Sequence, residues 1–141
     1  MPEINVVAVF YSRYGATEQL ALAAGVGAVQ ARANIRLRRL QDLADSETIA
    51  RDPRWVENLE RMNRDYIAPR AIDVDWADVI LVASCPDSLR ETEKYVEELL
   101  ATPGRNDRLL IVPLADMPGD RLASAREQAH KAVENARKLK A

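Results

Sequence analysis

The stretch Val6–Thr17 reads VVAVFYSRYGAT. Ile4, Val6, Val7, Val9 and Phe10 make a β-branched, apolar run of the kind found in a strand buried on both faces. The run passes through Ser12-Arg13-Tyr14-Gly15-Ala16-Thr17 into an Ala/Leu-rich helix. Strand, tight polar loop and helix have the geometry of a phosphate cradle, or else of an ordinary strand-to-helix turn that binds nothing. A helix begins with unsatisfied backbone N–H groups and the positive end of its dipole, so a loop that converges on it suits an anion. Ser12 and Thr17 add hydroxyl donors, and Gly15 lets the backbone approach a ligand. No Gly-Lys-Ser/Thr follows, so the loop is not a P-loop, and without GxGxxG it is not a dinucleotide fingerprint.

Working outward, the first helix is expected over Ala16 to Ala33, apolar almost all the way round, with Gly25 and Gly27 marking a close helix contact. Ile35 to Leu40 (IRLRRL) reads as a second strand, and Arg36, Arg38 and Arg39 suit a sheet edge, where charge blocks pairing with other chains. Gln41 to Asp52 is polar and reads as loop. Asp52-Pro53 then starts a helix, with Trp55, Val56, Leu59 and Met62 at helical spacing. Trp55, Tyr66 and Ile67 either cover the sheet or meet a second subunit, with core or edge cover favoured.

Val79 to Ala83 (VILVA) is a third buried strand, ending in Ser84-Cys85-Pro86-Asp87-Ser88. Ser88 and Glu91 have capping-box spacing, and Leu89, Val96, Leu99 and Leu100 line one side of the helix they begin. Pro103-Gly104 stops it, and Leu109 to Leu114 (LLIVPL) is a fourth strand. After the turn Ala115 to Asp120, Leu122, Ala125, Ala129, Ala132, Val133, Ala136 and Leu139 recur at three and four residues in a last amphipathic helix. Alternating buried strands and helices imply an α/β fold: one domain spanning residues 1–141, with a doubly wound parallel sheet of four strands, order 2-1-3-4, and helices on both faces.

Composition narrows the chemistry. With 141 residues the chain is long enough to bury roughly 68% of its unfolded surface. Its 20 basic and 22 acidic residues give a net charge of -2, which offers no electrostatic case for nucleic acid. The single cysteine, Cys85, excludes an internal disulfide and fits a reducing compartment; it stands between a strand and a helix start, where a thiolate would be stabilised, although free cysteines are commonly buried and inert. With only His130 besides, a zinc site of the usual kind cannot be assembled within one chain. No basic-then-apolar leader precedes the first strand and no apolar run approaches roughly 18 residues, so the cytoplasm is the expected compartment and no membrane contact is expected.

The loop resembles the first loop of flavodoxin-like proteins. More closely, YSRYGATEQLALAAGVG resembles the opening of NAD(P)H:quinone oxidoreductases of the WrbA type, and RDPRWVENLERMNRDYIAPR resembles their segment between strands two and three. The resemblance implies FMN, with its phosphate on Ser12, Arg13, Tyr14, Gly15, Ala16 and Thr17 and its ring beside Pro86, Asp87, Ser88 and Leu89. It further implies NAD(P)H as co-substrate and a small-molecule quinone as acceptor; the Trp55 helix and the Ala/Gly face of the first helix offer more apolar surface than a shortened sheet covers, so a homo-oligomer, a dimer or tetramer of this chain, is expected. The flavin would carry the chemistry, so no catalytic side chain is assigned.

The resemblance holds well from Val6 to Ala83 and breaks beyond. The family's Pro-Thr-Arg-Phe-Gly loop is represented here only by Pro86, and its His-Gly-Gly loop has no counterpart. LLIVPL and the basic last helix resemble the family's final strand and helix, as if one strand-helix unit were missing between Leu100 and Arg108; this would set the last strand beside the third. The other alignment equates LLIVPLADMPGD with the family's fourth strand and takes the end as truncated. Either way the phosphate loop is intact and the ring loops are cut back. Two functions therefore stand: a minimal FMN-dependent oxidoreductase, or a flavodoxin-like domain without flavin that acts as a binding or assembly module with an anion-binding loop.

Overall fold

The computed structural model describes residues 2–84, 86–102, 109–115 and 117–141, with Asp87 described through its backbone alone. Strand β1 (Asn5–Phe10) is buried on both faces, as its unbroken apolar run requires. It leads through the Ser12–Gly15 loop into α1 (Ala16–Gln30) and then β2 (Asn34–Arg39). Helix α1 ends three residues before the Ala33 expected from sequence. Arg32 adopts φ 65, a left-handed turn that reverses the chain, and Ala33 N closes it on Ala28 O.

The segment between β2 and β3 (Val79–Ala83) holds three helices, α2 (Ser46–Ala50), α3 (Pro53–Asp65) and α4 (Ala71–Trp76). The stretch read as loop therefore contains one short helix, α2, because Asp45 caps it by accepting from Thr48 N. Helix α3 starts as expected, with Asp52 accepting from the backbone N–H groups of Arg54 and Trp55 and with Pro53 in its first turn. Helix α4, which the sequence did not signal, begins where Asp73 accepts from Arg70 N.

A 3-10 turn (Pro86–Ser88) precedes α5 (Leu89–Ala101); β4 (Leu110–Leu114) and α6 (Arg121–Lys140) complete the described chain. The expected capping box at Ser88 and Glu91 is not made. Ser88 caps α5 without a side-chain hydrogen bond, because its hydroxyl turns inward to lie 3.5 Å from Ser84 Oγ. The expected stop at Pro103-Gly104 and the cysteine Cys85 lie outside the described residues.

All four strands are parallel in the order β2-β1-β3-β4, with Val6 beside both Ile35 and Val79, and Val79 beside Leu110. The last strand thus lies directly against the third. On one face α1 and α6 pack over Ile4, Val6, Ala8, Phe10, Val79 and Leu81, joined by Met62 of α3. On the other, α5 contributes Leu99, Tyr95 and Val96 over Val7, Val9, Ile80 and Val82. The Gly27 contact read from sequence is the α1–α6 crossing, where Gly27 meets the backbone of Arg126. The small-residue face of α1, taken from sequence as a reason for self-association, is therefore covered within the chain.

β2 is an edge strand, as its arginines suggest. They are nonetheless paired: Arg36 and Arg38 both bind Asp73 of α4, and Arg39 binds Asp42. Trp55 is buried, so it covers the chain's own loop and does not face outward; Tyr66 is half-buried and packs edge-on against Phe10, and Ile67 is exposed.

Candidate functional site

The loop between β1 and α1 is held from two sides. Within it, Ser12 Oγ accepts from Gly15 N at 2.8 Å, and Gly15 takes φ 113, a conformation that strains any residue with a Cβ. From outside, Asn58 of α3 donates to the carbonyl oxygens of Ser12 and Arg13 at 3.3 and 2.9 Å. The guanidinium of Arg13 lies 3.9 Å over the Trp55 ring, a cation–π contact that fixes the loop against α3. Trp55 in turn donates through Nε1 to Asp42, which also accepts from Tyr11 Oη at 2.5 Å. Burial first, and then the Asp42 carboxylate, push the Tyr11 phenol well above its ordinary value and keep it neutral.

α1 opens at Gly15 with no side-chain cap, so the first N–H groups of the helix are left to a ligand or water. Ser12 and Thr17 are both almost wholly buried, Ala16 is exposed and Gly15 is half-exposed. Glu18, in the same first turn, would repel an anion if its carboxylate were free. It is instead neutralised by Arg61 at 2.7 Å and accepts from Tyr66 Oη at 2.6 Å. Burial alone would raise its pKa, but the hydrogen bonds from Arg61 and Tyr66 and the charge of Arg61 outweigh burial and lower it.

Tyr14 is exposed and turned toward α3: its hydroxyl donates to Asp52 and its ring lies under Arg54 at 4.7 Å. With Arg54, Asn58, Arg61 and Arg64 it lines a cavity of about 390 Å3. The residues expected on the ring side follow β3, the strand beside β1. Pro86 and Leu89 are on the surface, while Ser88 is buried in a hydroxyl cluster in which Thr92 Oγ1 lies 3.1 Å from Ser84 Oγ. The Asp87 side chain lies outside the described residues. Leu89 and Ser84 line a separate apolar cavity of about 400 Å3, with Val82, Val96, Leu100 and Pro113.

The structure therefore brings Ser12, Arg13, Gly15, Ala16 and Thr17 into one cradle and leaves Pro86 and Leu89 outside it. The donors fit a phosphate. Tyr14 and Leu89 line different cavities. Sequence reasoning missed Asn58, Trp55 and Arg61 as the supports of the cradle. The capped start Asp52-Pro53 revealed their helix, but nothing local showed that it lies against the loop.

No protein-family model matches this chain, and no curated protein matches it. Among solved structures it is similar to a flavodoxin from the domain Archaea, at 12% identity over 95% of this chain and 99% of that one, with a TM-score of 0.56. It overlaps more loosely with a diflavin flavoprotein A3 from Nostoc sp. (12% identity, all of both chains, TM-score 0.45). A low molecular weight protein tyrosine phosphatase from T. tengcongensis overlaps at 14% identity, over 96% of this chain and 97% of that one, with a TM-score of 0.38. The sheet order, the helices on both faces and the likeness to the archaeal protein together show a four-stranded flavodoxin-like fold.

Proposed function

We propose that this chain binds a phosphate monoester at Ser12–Thr17, and that FMN is that ester. The observation that carries the reading is the start of α1: an uncapped helix end at a left-handed glycine, with two hydroxyls beside it and the carboxylate of its first turn, Glu18, already paired. Ser12 and Thr17 donate to the phosphate, and the backbone N–H groups of α1 complete the cradle. Asn58 and the Arg13–Trp55 stack hold the loop in shape before a ligand arrives, which spares ordering entropy on binding. FMN, when bound, supplies hydride and electron transfer through its ring. The resemblance to WrbA-type proteins makes NAD(P)H:quinone oxidoreduction the finer form of this reading, in a cytoplasmic homo-oligomer. Leu22, Val26 and Val29 form an exposed stripe along α1 that suits such an assembly.

A second reading, a domain that binds a phosphorylated molecule other than flavin, is favoured by one specific observation. Tyr14, the aromatic side chain of the loop, is tied to Asp52 and Arg54 on the α3 side and does not stand free to stack on a ring.

The test is the visible spectrum of the purified protein, followed by FMN and riboflavin titrations read by flavin fluorescence. FMN quenching that saturates, is competed by inorganic phosphate and weakens in Ser12→Ala/Thr17→Val supports the reading. Equal binding of FMN and riboflavin removes the phosphate cradle from it. No binding of either, with inorganic phosphate still shifting the amide resonances of Gly15 to Glu18, leaves the flavin-free form.

A further inference from the structure

The outermost strand, β4, is covered unequally. On one side α6 packs over Leu110 and Val112; on the other, the side of α5, Ile111 is half-buried and Pro113 exposed. Between α5 and β4 runs an apolar groove of about 400 Å3, floored by Val82 and walled by Leu89, Val96, Leu100 and Pro113. Leu89 and Leu100 are 48% and 54% exposed, so the groove lies open to solvent. Along α5, Leu89, Val96 and Leu100 extend over three turns, about 16 Å at the rise of a helix.

The wall is apolar, but its rim carries charge of one sign. Glu93 and Glu97 line the groove one turn apart, both exposed and without a hydrogen bond or ion pair among the described residues. No basic residue lines it, and Lys94 of the same helix pairs with Glu98. Two free carboxylates beside an apolar floor select an apolar partner flanked by Lys or Arg.

The form of that partner follows from the sheet edge. Strand addition to β4 is opposed by Pro113, which has no N–H, and by Gln128, which occupies both backbone groups of Ala115. A helix needs no such backbone groups and lays apolar residues at i, i+4 and i+7 into a groove of this length. No described helix of this chain offers such a stripe with the matching charge. The exposed Leu22, Val26 and Val29 stand on α1, which has no Lys or Arg, and the apolar face of α6 is covered by α1 and the sheet. The complement is therefore a different protein.

We propose that the α5–β4 groove docks a basic amphipathic helix of a partner protein, with its apolar residues on Val82, Val96, Leu100 and Pro113 and its Lys or Arg side chains against Glu93 and Glu97. The groove shares no residue with the Ser12–Thr17 loop, and its occupant does not depend on what that loop binds.

The experiment titrates the full chain with an acetylated, amidated peptide of about 14 residues, with leucine at i, i+4, i+7 and i+11, lysine on both flanks and alanine elsewhere. A counterpart with glutamate in place of lysine is titrated beside it. Backbone amide NMR shifts that saturate and map to residues 89–100 and 109–113 are expected. The lysine peptide should bind at least roughly tenfold tighter at low salt, and the preference should shrink as salt rises. Glu93→Lys/Glu97→Lys, at two exposed positions, should reverse the preference in favour of the glutamate peptide. Leu100→Gln, also at an exposed position, should weaken both peptides. Equal affinity for the two peptides, shifts that map elsewhere, or a preference unchanged in Glu93→Lys/Glu97→Lys would each overturn the proposal. So would a concentration-dependent dimer that Leu100→Gln abolishes, since the occupant would then be a second copy of this chain.

Discussion

Gln128 of α6 closes the end of the sheet by pairing with the backbone of Ala115: its Nε2 donates to Ala115 O at 2.9 Å and its Oε1 accepts from Ala115 N at 2.8 Å. A side-chain amide thus stands where a neighbouring strand would bond. One position earlier on the same side, Pro113 removes the N–H that would face solvent. Leu110 N bonds to Asp78 O, so Leu110, Val112 and Leu114 face β3, and Ile111 and Pro113 face outward. Together the two residues protect an edge whose side chains are half-exposed and apolar.

Replacing that proline tests the protection. Pro113→Val restores an outward N–H on a strand of high β-propensity, and the variant should form larger assemblies than the parent at the same concentration. Light scattering across a concentration series reads the effect. If Pro113→Val matches the parent in both dispersity and thermal aggregation, the edge is guarded by something else.

The two glycines of α1 should respond oppositely to alanine. A Cβ on Gly27 would stand 2.1 Å from the carbonyl oxygen of Arg126, a backbone atom that cannot swing aside, so α1 and α6 must separate. Gly27→Ala should cost about 2–3 kcal/mol, as overpacking does. At Gly25 a Cβ meets only Ile35 and Leu37 side-chain atoms at 3.8 Å, so Gly25→Ala should be neutral or stabilise by about 0.5–1 kcal/mol through helix propensity. Urea midpoints of both variants decide it, and equal effects would mean that the crossing is not set at Gly27.

Acid should weaken the Glu18–Arg61–Tyr66 cluster. The carboxyl of Glu18 is held below its ordinary value of 4.5, so its contribution to stability is complete above that value and is lost as pH falls through the lower folded value. Arg61→Met leaves burial opposed by Tyr66 alone and should cost about 1–2 kcal/mol at neutral pH, discounted for the partial exposure of Arg61. That cost should shrink steadily on acidification, because the parent loses the contribution that the variant already lacks. A difference in urea midpoint that stays constant with pH would show that Glu18 and Arg61 are not coupled.

Asn58 links the stability of the loop to what the loop binds. Asn58→Ala should lower stability by about 1–2 kcal/mol, since the carbonyl oxygens of Ser12 and Arg13 lose their donor. It should also weaken inorganic phosphate or FMN binding, although Asn58 is not placed among the ligand donors. Asn58→Asp, which sets a carboxylate against two carbonyl oxygens, should be worse on both counts. Loss of stability with unchanged ligand affinity would confine Asn58 to the fold.

Much of this architecture was legible in the order of the residues. The apolar runs at Val6 and Val79 are too continuous for half-exposed strands, so they required helices on both faces; the equally apolar run at Leu110 lies half-exposed at the sheet edge. The helical spacing after Ala16, Asp52, Ser88 and Asp120 supplied those helices. Short-range chemistry was legible too: the Ser12–Thr17 loop, the Asp52-Pro53 cap and the edge arginines. Helices α2 and α4 escaped because segments of five and six residues show too little periodicity to separate them from polar loop.

The sequence by itself determined the alternation of strand and helix, the parallel order 2-1-3-4 and the polar strand-to-helix loop Ser12–Thr17, because each follows from periodicity and chirality within one or two elements. Only the tertiary structure decided what surrounds that loop. Arg61 meets Glu18 across 43 residues, Asn58 meets Arg13 across 45, and Arg38 meets Asp73 across 35. Periodicity says which face of α3 is apolar; it does not say which loop that helix lies against.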